Sequence, residues 1–162
     1  MTFTNRMRRT LGKAASLPPT LRQRAVAFAI RRTIPFVGTA GIDILEVEPD
    51  RVVLQLANRR GVRNHIGGVH AAAMALLAET ASGLVLGMNV RDSAVPVLRE
   101  MNMSYVARAT GGLQAVATLD ETARRSVQES DRGDLQVPVF VTDAAGQAPV
   151  ECLMSWAWRP GR

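Results

Sequence analysis

Residues 64–88 read NHIGGVHAAAMALLAETASGLVLGM, a polar, glycine-containing loop followed by a long apolar run. Between residues 69 and 90 the only Asp, Glu, Lys or Arg is Glu79. That length is enough to span a bilayer, but the run is rich in alanine and glycine, and a charge at its centre is costly in lipid. We therefore predict a buried helix from about Val69 to Met88 inside a globular domain.

A helix that is apolar on every side must be covered by other elements, and the flanking sequence predicts strands. Gly41–Val47 and Arg51–Asn58 form a predicted hairpin before the helix. Four strand patterns follow it, at residues 95–109, 113–119, 135–141 and 150–158, with a short helix or loop expected in 120–134 and a turn at 143–146. Short connections favour an antiparallel sheet curled around the helix, an α+β fold. Exposed sheet edges predict pairing of two such units.

Residues 1–37 are a basic segment before a single domain predicted for residues 38–162. We expect residues 1–19 to be irregular. Thr20 to Gln23 fits a capping box, and apolar residues at helical spacing then predict an additional amphipathic helix of about three turns. We expect this helix to dock on the domain; the alternative is a helix at a membrane surface, for which its apolar face is small. Three arginines are expected to be solvated or frayed: Arg6, Arg8 and Arg9.

The chain has 162 residues and a net charge of +6, from nineteen arginines, one lysine and 14 acidic residues. A basic chain suggests nucleic acid or anionic lipid as a partner, but aromatic residues are only 4% and form no stacking cluster. We expect neither a nucleic-acid partner nor membrane association. The single cysteine excludes an internal disulfide, and two histidines without zinc-type spacing predict no metal and no cofactor. Without a signal-peptide pattern, we expect a cytoplasmic protein.

Glu79 is the candidate reactive group, because a carboxylate on an apolar helix is costly unless it has a purpose. Burial should raise its pKa. Gly67 and Gly68 let the backbone approach a ligand closely, and the helix start presents unpaired N–H groups to a developing negative charge. Simpler interpretations remain open. Glu79 is then exposed or paired with an arginine of a partner subunit, His70 is a helix cap, and Asn64 is a turn residue.

The pattern Asn64, Gly67, His70-Ala71-Ala72 and Glu79 on a long central helix resembles the hot-dog fold thioesterases. Within them it is closest to the PaaI-like branch of the phenylacetate pathway, and the resemblance covers roughly residues 38–159. It implies five or six antiparallel strands around the central helix and homodimers with two active sites at the subunit interface. Many members are tetramers. The implied reaction is hydrolysis of an acyl-coenzyme A thioester.

By the same resemblance, Glu79 is the general base or nucleophile, and Asn64 positions the attacking water or carboxylate. The N–H of Ala71 polarises the thioester carbonyl, and His70 is the histidine that precedes that position. The family often has His-Gly-Gly where this chain has His70-Ala71-Ala72. A non-catalytic module that binds an acyl thioester or acyl chain is therefore the alternative function. Candidates for a second polar group are Ser82, Ser93 and Ser104.

Substrate contacts are expected around the same loop, at Gly67, Gly68 and Arg63. Coenzyme A carries phosphates, which arginine binds in a bidentate manner. Other arginines that would serve this purpose are Arg59, Arg60, Arg108, Arg124 and Arg125. An apolar acyl pocket is expected from methionines and a leucine, whose alternative role is core packing. These residues are Met74, Leu77, Met101 and Met103.

Overall fold

Helices and strands cover most of residues 3–161, the part of the chain that the computed structural model describes. The α-helices are α1 (Arg6–Gly12), α2 (Pro19–Thr33), α3 (Pro35–Ala40), α4 (Ala71–Gly87) and α5 (Glu121–Glu129), and a 3₁₀ turn covers Arg60–Val62. The strands are β1 (Asp43–Val47), β2 (Arg51–Leu56), β3 (Ala94–Tyr105), β4 (Leu113–Thr118), β5 (Gly133–Asp143) and β6 (Val150–Pro160).

The six strands form one antiparallel sheet in the order β1-β2-β4-β5-β6-β3. Helix α4 contacts every strand from β2 to β6, so the sheet wraps around it. Alternate residues of the central strands face the helix: in β4, Leu113, Ala115 and Ala117 are buried between half-buried neighbours. The predicted α+β hot-dog fold is therefore confirmed. The residues of α4 buried in this core are Met74, Leu77, Ala78, Thr80, Ala81, Ser82, Leu84, Val85 and Leu86.

The predicted long helix is confirmed with slightly shorter bounds, since α4 begins at Ala71 and ends at Gly87. Within residues 3–161, no helix is both long enough and apolar enough to cross a membrane. The charged stretch after β4 contains α5, whose first turn is capped by the Asp120 side chain accepting from the N–H of Ala123. The predicted turn after β5 is also present, with Gly146 at a φ of 76°.

The prediction that residues 1–19 are irregular is wrong, because α1 forms and docks on the end of α4. The side chain of Asn5 caps α1 by accepting from the N–H of Arg8 at 2.9 Å. The Nδ2 of Asn5 donates to the carbonyls of Gly87 at 2.8 Å and Val90 at 2.6 Å. Arg8 is bound rather than solvated, since its Nε donates to the Met88 carbonyl at 2.7 Å. A cation at this end of α4 also complements the helix dipole.

Asn89 joins four parts of the fold at one buried point. Its Nδ2 donates to the carbonyls of Pro49 at 2.6 Å, in the β1–β2 turn, and Val85 at 2.9 Å, in α4. Its Oδ1 accepts from Nη2 of Arg8 at 2.7 Å and from Nε2 of Gln128 in α5 at 2.7 Å. The carboxamide therefore uses both of its donors and both acceptor positions, and removing it would leave several buried groups unpaired.

Helix α2 lies along the outer edge of β1. Nε2 of Gln23 donates to the Ile44 carbonyl at 3.1 Å, and Nη2 of Arg31 donates to the Ile42 carbonyl at 2.9 Å. The predicted capping box is wrong, because the N-cap is Pro18, no side chain caps this end, and Gln23 is used by the strand instead. The helix is also longer than predicted, at 15 residues. It covers carbonyls that an edge strand otherwise leaves open to pairing.

Helix α4 packs closely against β6 at Gly83. A Cβ at this position would lie 2.9 Å from Cη2 and 3.0 Å from Cζ2 of Trp156. The indole is held in place because its Nε1 donates to the Ser82 hydroxyl at 3.0 Å. The close approach of α4 to β6 therefore requires a residue without a side chain at position 83.

We expect Gly83→Ala to lower the free energy of unfolding by about 1–3 kcal/mol, the usual cost of overpacking a core. In an unhindered helix interior the same change stabilises by about 1 kcal/mol, so the two effects have opposite signs. Urea denaturation measures the difference. Gly38→Ala in α3 is the control, because the three atoms nearest to its Cβ would belong to Arg31, at ordinary distances of 3.6–4.0 Å. A Gly83→Ala protein as stable as wild type would contradict the proposed packing limit.

Candidate active site

The loop before α4 is held in shape by the side chain of Asn64. Its Oδ1 accepts from the N–H groups of Ile66 at 3.1 Å and Gly68 at 3.0 Å. Gly67 has a φ of 82°, in the region that favours glycine. Nδ2 of Asn64 makes only a long contact of 3.5 Å with the Val69 carbonyl. The carboxamide oxygen is therefore occupied by the loop, and Nδ2 is the atom of Asn64 with capacity for a ligand.

Helix α4 begins at His70, which is its N-cap. The Nδ1 of His70 accepts from the N–H of Ala72 at 3.1 Å, which places the proton of the neutral ring on Nε2. The N–H groups of Ala73 and Met74 donate to the His70 carbonyl at 2.9 Å and 3.1 Å. The N–H of Ala71 donates to no residue within 3–161, and Ala71 is exposed. One helix N-terminal donor is thus open to an incoming anion or polarised carbonyl.

Tyr105 fastens the start of α4 to the end of β3. Its hydroxyl donates to the Ala71 carbonyl at 3.0 Å. Burial raises the pKa of Tyr105, and the nearby thiol of Cys152 raises it further, so the phenol remains a donor. The sequence analysis missed this contact, because it joins positions 34 residues apart. The sequence offers one signal for this contact, since Tyr105 is the only tyrosine of the chain and lies at the end of a predicted strand. An amphipathic ring at such a position brings its hydroxyl to the edge of the core.

Glu79 lies half-buried on α4. Burial raises the pKa of its carboxyl, and a hydrogen bond from Thr80 opposes the rise, with Oγ1 donating to Oε2 at 3.4 Å. Among residues 3–161, no Lys or Arg makes an ion pair with it. The carboxylate is therefore a partly desolvated base without a counter-ion from the described part of its own chain. Groups of this kind are concentrated at functional sites.

The sequence matches the family described as "Domain of unknown function (DUF4442)" over residues 22–158. The chain belongs to this family. The DUF4442 chain is similar in structure to a probable thioesterase, of unknown function, from Pseudomonas aeruginosa, with 25% identity, a TM-score of 0.76, and coverage of 90% of this chain and 97% of that one. No curated protein matches it.

Two further solved structures support the fold of the DUF4442 chain. A thioesterase from Haemophilus influenzae has a TM-score of 0.67 at 14% identity, over 83% of this chain and 90% of that one. A protein of unknown function from Chlorobaculum tepidum has a TM-score of 0.74 at 15% identity, over 91% and 99%. These two matches support the fold alone, and that fold agrees with the hot-dog fold that residues 64–79 resemble.

Ser82, a candidate second polar group, has a structural role in this chain. Its hydroxyl is buried, donates to the Glu79 carbonyl at 2.8 Å, and accepts from the indole of Trp156. Ser93 is also engaged, since its hydroxyl donates to Asp131 at 2.6 Å. The hydroxyl on the Glu79 carboxylate is that of Thr80. Sequence reasoning missed it because adjacent side chains on a helix do not face each other.

Two arginines form hydrogen bonds around the loop before α4. Nε and Nη2 of Arg63 donate to Oδ1 and the carbonyl of Asn58, both at 2.9 Å. Nη2 of Arg108 donates to the Ile66 carbonyl at 3.1 Å. Two cations thus lie beside the loop that Asn64 shapes. Each has N–H groups beyond the ones used in these hydrogen bonds.

The residues of the predicted acyl pocket separate into two environments. Met74 and Leu77 are buried in the core, and Met103 packs against it. Met101 is exposed on β3. Cavities of about 620 Å³ and 190 Å³ lie instead beside α2, and none of these four residues lines them. Core packing is thus the observed role of Met74 and Leu77 in the single chain.

We expect Glu79→Gln to raise the melting temperature at pH 7. The folded-state pKa of Glu79 lies above its ordinary value of 4.5, so the folded protein binds this proton more tightly than the unfolded chain. The fold therefore loses stability as pH rises from about 4.5 through the higher folded-state pKa, where Glu79 becomes charged. The gain from the neutral amide should disappear below about pH 4.5.

Thermal unfolding of both proteins between pH 4 and pH 8 measures this difference. Glu151→Gln on the exposed outer side of β6 is the control, with no comparable gain expected. An equal melting temperature of the Glu79→Gln variant and the wild type at every pH would contradict the desolvation of Glu79.

Proposed function

We propose that this protein is an acyl-coenzyme A thioesterase, with Glu79 as the general base or nucleophile. The observation that carries the proposal is that the central helix has an open N–H at its start and a partly desolvated carboxylate about 12 Å further along, which two paired copies of the chain would bring to one thioester. Thioester hydrolysis needs both: a group that delivers oxygen to the carbonyl carbon, and a donor for the charge that develops on the carbonyl oxygen. The similarity to a probable thioesterase over nearly the whole chain supports it.

In this mechanism the thioester oxygen accepts a hydrogen bond from the N–H of Ala71. Glu79 of the second copy of the chain either takes a proton from water, whose oxygen bonds to the carbonyl carbon, or attacks that carbon itself through a carboxylate oxygen. The C–S bond then breaks, and the coenzyme A thiolate leaves as a thiol after taking a proton, from the Glu79 carboxyl in the first route and from water in the second. In the second route, water hydrolyses the resulting anhydride. The raised pKa of Glu79 makes it a stronger base than an exposed carboxylate.

Two chains are proposed to form each site. Ala71 and Glu79 are eight residues apart, which is about 12 Å along the helix axis, and the resemblance places each active site between subunits. The edges of the sheet support a defined pairing. At one edge, α2 covers β1; at the other, β3 is a 12-residue edge strand with exposed Val95, Val97 and Met101. An open apolar edge of this length favours pairing with a second copy.

Coenzyme A is the proposed carrier because cations surround the loop. Arg108 donates to the Ile66 carbonyl in the loop, Arg63 precedes Asn64 and binds Asn58, and Arg59 and Arg60 are exposed just before it. Their guanidinium groups suit phosphate oxygens. The exposed backbone at Gly67 leaves open space, since a Cβ there would meet no atom within 4 Å. We therefore propose that the carrier arm passes over Gly67 and Gly68 toward Ala71.

A non-catalytic acyl-thioester binding module is the second candidate. It is favoured by the hydrogen bonds that occupy Ser82 and the carboxamide oxygen of Asn64, since both are then committed to the fold. This function would use the same loop and helix start without turnover. It predicts that acyl-coenzyme A stabilises the protein to heat while no thiol is released.

Thiol release from a panel of short, medium, long and aromatic acyl-coenzyme A thioesters tests the proposal. We expect wild-type turnover, and a loss on the order of 10²-fold or more in Glu79→Gln, because the amide is neither a base nor a nucleophile. Glu151→Gln should retain full activity. Turnover by Glu79→Gln at the wild-type rate would contradict the role of Glu79, and thermal stabilisation without turnover by the wild type would establish the binding module instead.

A further inference from the structure

Positive charge in this chain is concentrated in its first 42 residues. They contain eight of the 20 Lys and Arg residues and none of the 14 Asp and Glu residues. The remainder of the chain therefore has more acidic than basic residues. Within the described residues, three of these cations form ion pairs with acidic side chains. Arg9 pairs with Asp92, Arg22 with Glu48 and Arg31 with Asp43.

Helix α2 has a cationic and apolar outer stripe, formed by Leu21, Arg24, Phe28 and Arg32. At about 100° per residue these four positions fall within about 80° of arc. Phe28 is 70% exposed and Leu21 is 50% exposed, so neither is used by the core. Arg24 and Arg32 precede and follow Phe28 by four residues, and neither pairs with an acidic residue of 3–161. The stripe thus alternates free cations with uncovered apolar side chains.

The opposite face of α2 is already occupied. Ile30 is buried, Val26 is half-buried, and Gln23 binds the edge of β1. Docking of α2 on the domain, as expected from the sequence, therefore accounts for only one of its faces. The outer stripe remains exposed beside an open groove of about 620 Å³ between α2 and β1, where Phe28 and Leu45 form part of the apolar lining. The aromatic ring of Phe36, at the start of α3, is also 63% exposed.

We propose that this surface binds the face of an anionic phospholipid bilayer, with α2 lying parallel to it. The sequence alone did not favour this partner, because it did not show which apolar side chains of α2 the domain leaves uncovered. A helix held in the interface needs two signals, cations for the headgroups and apolar side chains for the acyl boundary. Arg24 and Arg32 supply the first, and Phe28 and Leu21 the second. A nucleic-acid or acidic-protein partner would explain the cations but not the exposed apolar side chains of Leu21 and Phe28 beside them.

Flotation of the full chain with lipid vesicles tests this proposal. We expect binding to vesicles of phosphatidylcholine with about 30% phosphatidylglycerol at about 50 mM NaCl, and loss of binding near 500 mM, where salt screens exposed charges. Pure phosphatidylcholine vesicles should not bind. The double variant Arg24→Gln/Arg32→Gln should bind roughly 30-fold more weakly, since each cation near an anionic surface contributes on the order of 1 kcal/mol and about 1.4 kcal/mol corresponds to a factor of ten. Phe28→Ser should weaken binding several-fold at unchanged charge.

The matched control is Arg125→Gln/Arg132→Gln, which removes the same charge in and just after α5. We expect it to bind within about twofold of wild type, and thermal unfolding checks that all variants fold. Absence of binding to anionic vesicles at low salt would overturn the proposal. So would an equal loss in the control, which would indicate net charge alone. Unchanged binding by Phe28→Ser, together with full displacement by polyglutamate, would instead assign the surface to an acidic protein partner.

Discussion

The central helix α4 is apolar on nearly all sides, and the rest of the structure depends on covering it. Nine of its 17 residues are buried. The sheet can approach closely because Gly83 has no side chain opposite Trp156, and the indole is fixed in turn by the Ser82 hydroxyl on the same helix. An open antiparallel sheet covers such a helix by curling around it, but leaves one side of the helix uncovered. Glu79 lies half-buried, between these two environments.

The same packing provides the chemical properties of the candidate site. The carboxyl pKa of Glu79 is raised because the surrounding apolar helix and sheet exclude water from it. The N–H of Ala71 is open because Ala71 is the first residue of the helix, where no preceding turn supplies a carbonyl. His70 satisfies the three N–H groups that follow, those of Ala72, Ala73 and Met74. Asn64 and Tyr105 fix the loop and the helix start that present this donor. A base and an anion donor thus follow from one helix and its cap.

Periodicity predicted the six strands, whose side chains alternate between core and solvent, and the long apolar run predicted α4. The stretch after β4 was expected to contain a short helix or a loop, and it contains α5. Neither pattern predicted α1, because Asn5 and Arg8 dock that helix through hydrogen bonds to residues 80 or more positions away. The junction at Asn89 was missed for the same reason. In the candidate site, Glu79 and the loop were visible as exceptions within an apolar run. Tyr105 was not, since its role depends on which strand end lies beside the helix start.

The two edges of the sheet have different surroundings. The proposed pairing of two copies uses the β3 edge, and the proposed membrane surface lies at the β1 edge. Strands β1 and β3 lie at opposite edges. Gln23 of α2 donates to a carbonyl of β1 and Arg31 to the carbonyl of Ile42 just before it, whereas β3 keeps exposed apolar side chains. A second copy that pairs with β3 would leave the outer stripe of α2 at the far edges of the enlarged sheet. Because pairing across β3 follows a two-fold axis in a closed dimer, the dimer would carry two cationic stripes. Two weak contacts of that kind on one bilayer reinforce each other when the geometry lets both engage.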